Sequence, residues 1–166
     1  EIVLVESSFE KVIISPPQKT APTIKALGKK VKVQLRDSLL PNTTYTIDFT
    51  DAIVDNNERN KLDGFTFCFA TGDHIDSLKI SGFVVDAQSL NPVPGILVGV
   101  HSNLDDTAFT KIPFNRITKT NSRGEFTISN IAEGTYKIFA LSDIGSNYFF
   151  DIPTEQIGFI DSLFIP

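Results

Sequence analysis

Apolar and polar residues alternate with period two through much of the chain. The clearest runs are Val12-Ile13-Ile14, Val31-Lys32-Val33-Gln34-Leu35, Tyr45-Thr46-Ile47-Asp48-Phe49, Phe65-Thr66-Phe67-Cys68-Phe69, Ile80 to Val85, Ile96 to Val100, Phe126-Thr127-Ile128 and Tyr136 to Leu141. Period two puts successive side chains on opposite faces of a pleated strand, so each run predicts a strand with one face buried. Ile2-Val3-Leu4-Val5 opens the chain in the same strand-like way. Turn formers separate the runs: Ser15-Pro16-Pro17, Leu27-Gly28-Lys29-Lys30, Pro41-Asn42, Asp55-Asn56-Asn57, Asn91-Pro92, Asn121 to Gly124 and Glu133-Gly134. Short strands punctuated in this way predict packed antiparallel sheets. Only Asp51 to Val54 and Thr154-Glu155-Gln156 are expected to form a helical turn.

The Phe-rich run ends at Phe69, and the polar Thr71-Gly72-Asp73-His74 precedes a new strand. We therefore expect an all-β chain of two tandem β-sandwiches, residues 1–74 and 75–166, a division that 166 residues accommodate as two domains of about 80 each. Ile75-Asp76-Ser77-Leu78-Lys79-Ile80 recurs as Ile160-Asp161-Ser162-Leu163-Phe164-Ile165. The second copy has two readings: the entry strand of a third module, or the closing strand of the second sandwich.

Composition sharpens this picture. Ile and Val number 30, and 14 of the aromatic residues are Phe, a β-branched and aromatic content that favours strands. Net charge is −5, and Lys and Arg form no extended block, which argues against nucleic-acid binding. No apolar run approaches the roughly 18 to 20 residues of a membrane-spanning helix. The final stretch, Ile138 to Pro166, holds Asp143, Asp151, Glu155 and Asp161 but no Lys or Arg. A chain that starts within a strand-like run and contains no Met is expected to be a processed or trimmed piece of a longer protein. Its single cysteine, Cys68, excludes an internal disulfide and a Cys-based zinc site.

Several segments carry a resemblance. Lys79 to Ala87, Asn91-Pro92-Val93-Pro94-Gly95-Ile96-Leu97-Val98, Thr118 to Ile128 with its Asn121-Ser122-Arg123-Gly124 turn, and Ile131 to Ile138 resemble, in order, the carboxypeptidase regulatory-like family of transthyretin-like sandwiches. In that reading Gly82 and Gly95 let backbones approach or turn, Asn121 to Gly124 closes a hairpin-type turn, and Tyr136 packs and hydrogen-bonds. The first half resembles bacterial Ig-like domains through Ile13-Ile14-Ser15-Pro16-Pro17, Leu40 to Ile47, Ala52 to Asn57 and Phe67 to Asp73. That family begins with a strand ahead of Ile2, so the first sandwich is expected to lack its first strand. The pairing of the two modules is similar to cell-envelope lipoproteins of Gram-negative bacteria. It implies an exported protein, associated with the outer membrane, at the cell surface or in the periplasm.

Candidate chemistry is sparse. His74 lies at the join and His101 at a strand end, neither near a catalytic motif, so both are expected to face solvent or an interface and no enzymatic activity is expected. Cys68 is expected to be a small buried hydrophobe, and the Phe65, Phe67 and Phe69 stripe to be core. The most site-like segment runs from Asp143 to Glu155. Asp143, Asn147 and Asp151 recur at every fourth residue with Glu155 beyond them, which approaches the way a loop wraps Ca²⁺ in roughly six to eight oxygens. Gly145 stands where another Asx would help, and Glu155 falls one place past the twelfth position, so this is not an EF-hand. The two readings are a cation site and a loop whose Asx side chains cap turns. A second Asx cluster, Asp51, Asp55, Asn57 and Asn60, reads as a structured connection or a weaker cation site. For glycan stacking, Tyr148 with Phe149 and Phe150 is the one candidate platform, because Trp is absent and Tyr45 and Tyr136 sit in strand-like runs. The expected function is a non-catalytic structural or interaction module contacting other envelope or surface proteins. The competing reading is a glycan- or peptide-binding module, calcium-dependent at the Asp143 to Glu155 end.

Overall fold

The computed structural model describes residues 3–166, so Ile2 of the opening run lies outside the described residues. Strands make up 39% of the chain and helix 5%, and the fold is all-β. The chain packs as two compact units: residues up to Ile14 with Gln18–Ile75, and Ser15–Pro17 with Asp76–Pro166.

In the first unit, β1 (Val3–Val5) pairs antiparallel with β6 (Ile53–Asp55), and β3 (Thr23–Leu27) with β4 (Lys30–Gln34). The third sheet has the order β2 (Ile13–Ser15), β5 (Thr44–Asp48), β7 (Thr66–Ala70). Ile14, Ile47, Phe49 and Ile53 form the centre of its core, with Val3, Ile24, Val31, Val33 and Phe69 packed around them. At least one apolar residue from each of β1 to β7 meets there, as period-two alternation demands.

Three expectations need correction in this unit. The stretch from Asp51 to Val54 is not helical: Ile53 and Val54 are β-branched and pair with Val5 and Leu4. A single helical turn, α1 (Ser8–Lys11), lies instead where no periodicity was read, closed by the Val12 N–H donating to the Ser8 carbonyl. Nor is the Phe stripe all core. Phe69 stacks on Tyr45 with ring centroids 5.3 Å apart, but Phe65 and Phe67 are 42% and 51% exposed. Cys68 is exposed rather than buried. β7 is an edge strand with β5 as its one neighbour, and of its stripe only Phe69 joins the buried cluster.

In the second unit a four-stranded sheet has the order β10 (Arg116–Lys119), β9 (Leu97–His101), β12 (Lys137–Leu141), β13 (Ile157–Phe159), and β8 (Leu78–Phe83) pairs with β11 (Glu125–Ile131). Ile80, Ile128 and Ile131 from the smaller sheet meet Val98, Val100, Ile138 and Ala140 from the larger one in a single core. The Asn121 to Gly124 turn forms as read, with Asn121 Oδ1 accepting the N–H groups of Arg123 and Glu125 and Gly124 at φ 74°. It does not close a hairpin, however, because β10 and β11 belong to different sheets. Of the two readings of the repeat, the structure carries the closing one: Phe164 exchanges backbone hydrogen bonds with Tyr136 and packs on this core.

All five residues of β9 are buried, so the sheet is covered on its second face too. On that face lie Gly99, His101 and Phe139, and over them a layer built from Phe114, from Phe109 in α2 (Ala108–Lys111), another single turn the pattern did not show, and from Phe150. Phe114 rests directly on the strand: a Cβ built on Gly99 would lie 2.3 Å from its ring. His101 is 0% exposed, its ring 4.5 Å from that of Phe114 and edge-on to Phe139 at 5.8 Å. The expectation of a solvent-facing or interface histidine therefore fails, since the aromatic layer closes over the strand end. Among the described residues neither ring nitrogen has a hydrogen-bond partner. Burial lowers the His101 pKa to about 4, because an imidazolium there would lack both water and a counter-charge.

With the folded pKa below the unfolded one, the unfolded chain binds the extra proton. The His101 contribution is therefore complete above pH 6.5 and is lost as pH falls toward 4. Wild-type unfolding free energy should fall by about 2 kcal/mol more than that of His101→Leu between pH 7 and about 4.5, read by urea titration. Parallel pH profiles for the two proteins would contradict this burial.

Candidate functional site

The loop after β12 gathers the four residues proposed as ligands, and Glu155 is its centre. This carboxylate is 5% exposed. Its Oε1 accepts the N–H groups of Ile144 at 3.0 Å and Gly145 at 3.3 Å, and its Oε2 those of Asp151 at 3.2 Å and Ile152 at 3.4 Å. Asp143 does the same at the start of the loop, accepting from the Asn147 N–H at 3.0 Å and the Tyr148 N–H at 2.9 Å. Asn147 donates its side-chain amide to Asp151 Oδ2 at 2.7 Å and accepts the Phe149 N–H at 2.9 Å. All four side chains thus share one loop: Asp143, Asn147 and Glu155 accept its own backbone N–H groups, and Asp151 accepts the side-chain amide of Asn147. Thr154-Glu155-Gln156 forms no helix; a turn from the Ile152 carbonyl to the Glu155 N–H precedes β13.

The electrostatics follow from this wrapping. Burial by itself would raise the Glu155 carboxyl pKa, but the four N–H donors outweigh it and hold the group below its usual range. The Tyr148 phenol is pushed above its usual value, first by burial and then by the charge of Asp143. Tyr148, Phe149 and Phe150 are all half-buried, and Phe150 meets Phe109 edge-on at 5.8 Å. Of the three, Phe150 is committed to the aromatic layer rather than free to stack on a sugar ring.

The second Asx cluster divides its work. Asp51 is clamped by Lys11 at 3.0 Å and Lys61 at 2.5 Å, and the hydrogen bonds from Lys61 and then Lys11 lower its pKa to about 2. Asp55 accepts the Glu58 N–H at 2.7 Å, and Asn60 donates to Glu58. Asn57 is exposed, as is His74. Among the described residues, no three His, Cys, Asp or Glu are arranged to hold a metal ion. Sequence reasoning missed the aromatic layer over β9. The available signal was the unbroken apolar run from Ile96 to Val100, which suits a strand covered on both faces better than a half-buried one.

A family model described as a bacterial Ig-like domain matches residues 1–71, so the first unit is similar to bacterial Ig-like domains. No curated protein and no solved structure matches the chain.

Removing the Glu155 carboxylate strands four N–H donors. Glu155→Ala should cost about 2 kcal/mol of unfolding free energy at pH 7. The carboxylate's contribution is complete above the ordinary glutamate value of 4.5 and is lost as pH falls through the lower folded one. Because the oxygens of the loop are engaged by its backbone, the melting temperature in millimolar calcium should equal that in EDTA. A calcium-dependent rise of several degrees would show that they coordinate a cation instead.

Proposed function

We propose that the chain is a non-catalytic structural or interaction module of a larger exported bacterial envelope protein. The observation that carries this reading is the match of residues 1–71 to bacterial Ig-like domains, a family of surface and structural modules. The second unit, taken as residues 75–166, is read as a carboxypeptidase regulatory-like, transthyretin-like sandwich. In its favour are two sheets closed over one core and a Tyr136 hydroxyl donating to the Ala132 carbonyl at 3.0 Å, the packing and bonding role that the resemblance implies. The two histidines offer little for catalysis: His101 is sealed among phenyl rings and His74 is exposed. Contacts with other envelope or surface proteins, or with glycan, would fall on loops and sheet edges, where such scaffolds bind. No helix is long and apolar enough to cross a membrane among the described residues.

Fractionation of the source bacterium, followed with an antibody raised against this chain, tests the reading. The protein should be recovered with the outer membrane, the cell surface or the periplasm. Recovery in the cytosolic fraction would contradict it.

A further inference from the structure

Among the described residues, the outward face of the β3–β4 hairpin collects positive charge that no ion pair neutralises. Residues 11–36 contain Lys11, Lys19, Lys25, Lys29, Lys30, Lys32 and Arg36, and no Asp or Glu. Period two then sorts the hairpin into two faces. Ile24, Val31 and Val33 pack against the core, while Lys25, Leu27, Lys30, Lys32 and Gln34 are exposed. The register sets Lys25 directly opposite Lys32, Leu27 opposite Lys30 and Thr23 opposite Gln34. Arg36 adds its guanidinium, with Nη2 donating to Thr23 Oγ1 at 2.8 Å, and Lys29 sits in the turn. Among the described residues Lys25, Lys29, Lys30 and Lys32 make no ion pair and no side-chain hydrogen bond. The nearest carboxylate in sequence after them, Asp37, accepts the backbone N–H groups of Lys19 and Thr20. Two lysines directly opposed across strands repel each other and weaken the pairing. A fold that only needed a solvated face would be more stable with Thr or Glu at one of the two positions.

We propose that this face binds an acidic polysaccharide, a chain with an anionic group on each repeat. The Cβ atoms that carry its lysines are about 5 Å apart across the strands, at Lys25 and Lys32, and about 7 Å apart along them, at Lys30 and Lys32, an array that an extended polyanion can follow. Gln34 and Thr23 lie on the same face and offer hydrogen bonds to hydroxyl groups. The other anionic surfaces fit less well. Among the described residues Leu27 is the one large apolar side chain exposed on this face, little for insertion into a bilayer. Among the described residues no aromatic side chain lies on it to stack nucleic-acid bases. The site is remote in sequence from Asp143 to Glu155 and needs no cation. It goes beyond the reading as an envelope module and rests on it only for where such a polymer would be met.

The test is titration of the full chain with alginate, a polyuronate, at about 50 mM and about 200 mM NaCl, with neutral dextran, anionic phosphatidylglycerol vesicles and duplex DNA alongside. Alginate should bind, and its affinity should drop about tenfold or more between the two salt concentrations. The triple substitution Lys25→Gln, Lys30→Gln, Lys32→Gln should weaken binding at low salt by at least about tenfold while leaving the melting temperature equal or higher, since it relieves repulsion. Lys79→Gln with Lys111→Gln, in the second unit, should leave binding unchanged. No alginate binding, equal binding by the triple variant, or tighter binding to vesicles or DNA than to alginate would overturn the proposal. Fractionation reads location without reading binding, so either result can fail alone.

Discussion

The constraint on which the second unit turns is the burial of β9 on both faces. An ordinary strand of an antiparallel sheet presents one face to a core and the other to water. Here Val98 and Val100 fill the core between the two sheets, and Leu97, Gly99 and His101 lie under a second apolar layer. That layer requires Phe114 to approach the backbone so closely that only glycine fits beneath it. It also requires the end of the strand to carry a side chain that tolerates complete removal from water, and His101 does so by staying neutral. The loop from Asp143 to Glu155 is tied into the same layer through Phe150, whose N–H donates to the Phe109 carbonyl at 3.2 Å. Glu155 holds that loop together, so a segment that looks like a ligand cradle in sequence serves as part of the cover.

Much of the strand pattern was legible because alternation and turn chemistry agree. The eight runs correspond to β2, β4, β5, β7, β8, β9, β11 and β12, and Val3 to Val5 forms β1. What escaped were elements with little periodic signal. Thr23–Leu27 is half polar, Arg116–Lys119 is four residues long, and Ile157–Phe159 contains a glycine, yet each pairs because a neighbouring strand offers its edge. The single turns α1 and α2 are too short to show a 3.6-residue repeat. Cys68 and Phe67 were misjudged for a different reason: alternation says which side chains share a face, not whether anything covers it, and an edge strand is covered least.

The candidate chemistry was legible only as composition. Sequence spacing grouped Asp143, Asn147, Asp151 and Glu155 correctly into one loop, but it could not show where their lone pairs point. The lone pairs of Asp143, Asn147 and Glu155 meet backbone N–H groups at seven positions within the loop itself. Conversely, alternation placed Lys32 in a strand and turn chemistry placed Lys29 and Lys30 between strands, and only the register sets Lys25 opposite Lys32. Asp143 and Glu155 are consumed by their own loop, whereas Lys25, Lys29, Lys30 and Lys32 stand exposed on one hairpin. Binding on such a face suits a module whose first unit is similar to bacterial Ig-like domains.

Substitution of Gly99 by alanine tests the doubly covered strand most directly, because it adds one methyl group where the account leaves no room. The added Cβ would lie 2.3 Å from the Phe114 ring, and either the ring or the strand must move. Urea unfolding of Gly99→Ala should show a loss of about 2 to 3 kcal/mol relative to wild type. A loss under about 0.5 kcal/mol, within the range of an ordinary surface substitution, would mean that no aromatic layer is seated on β9.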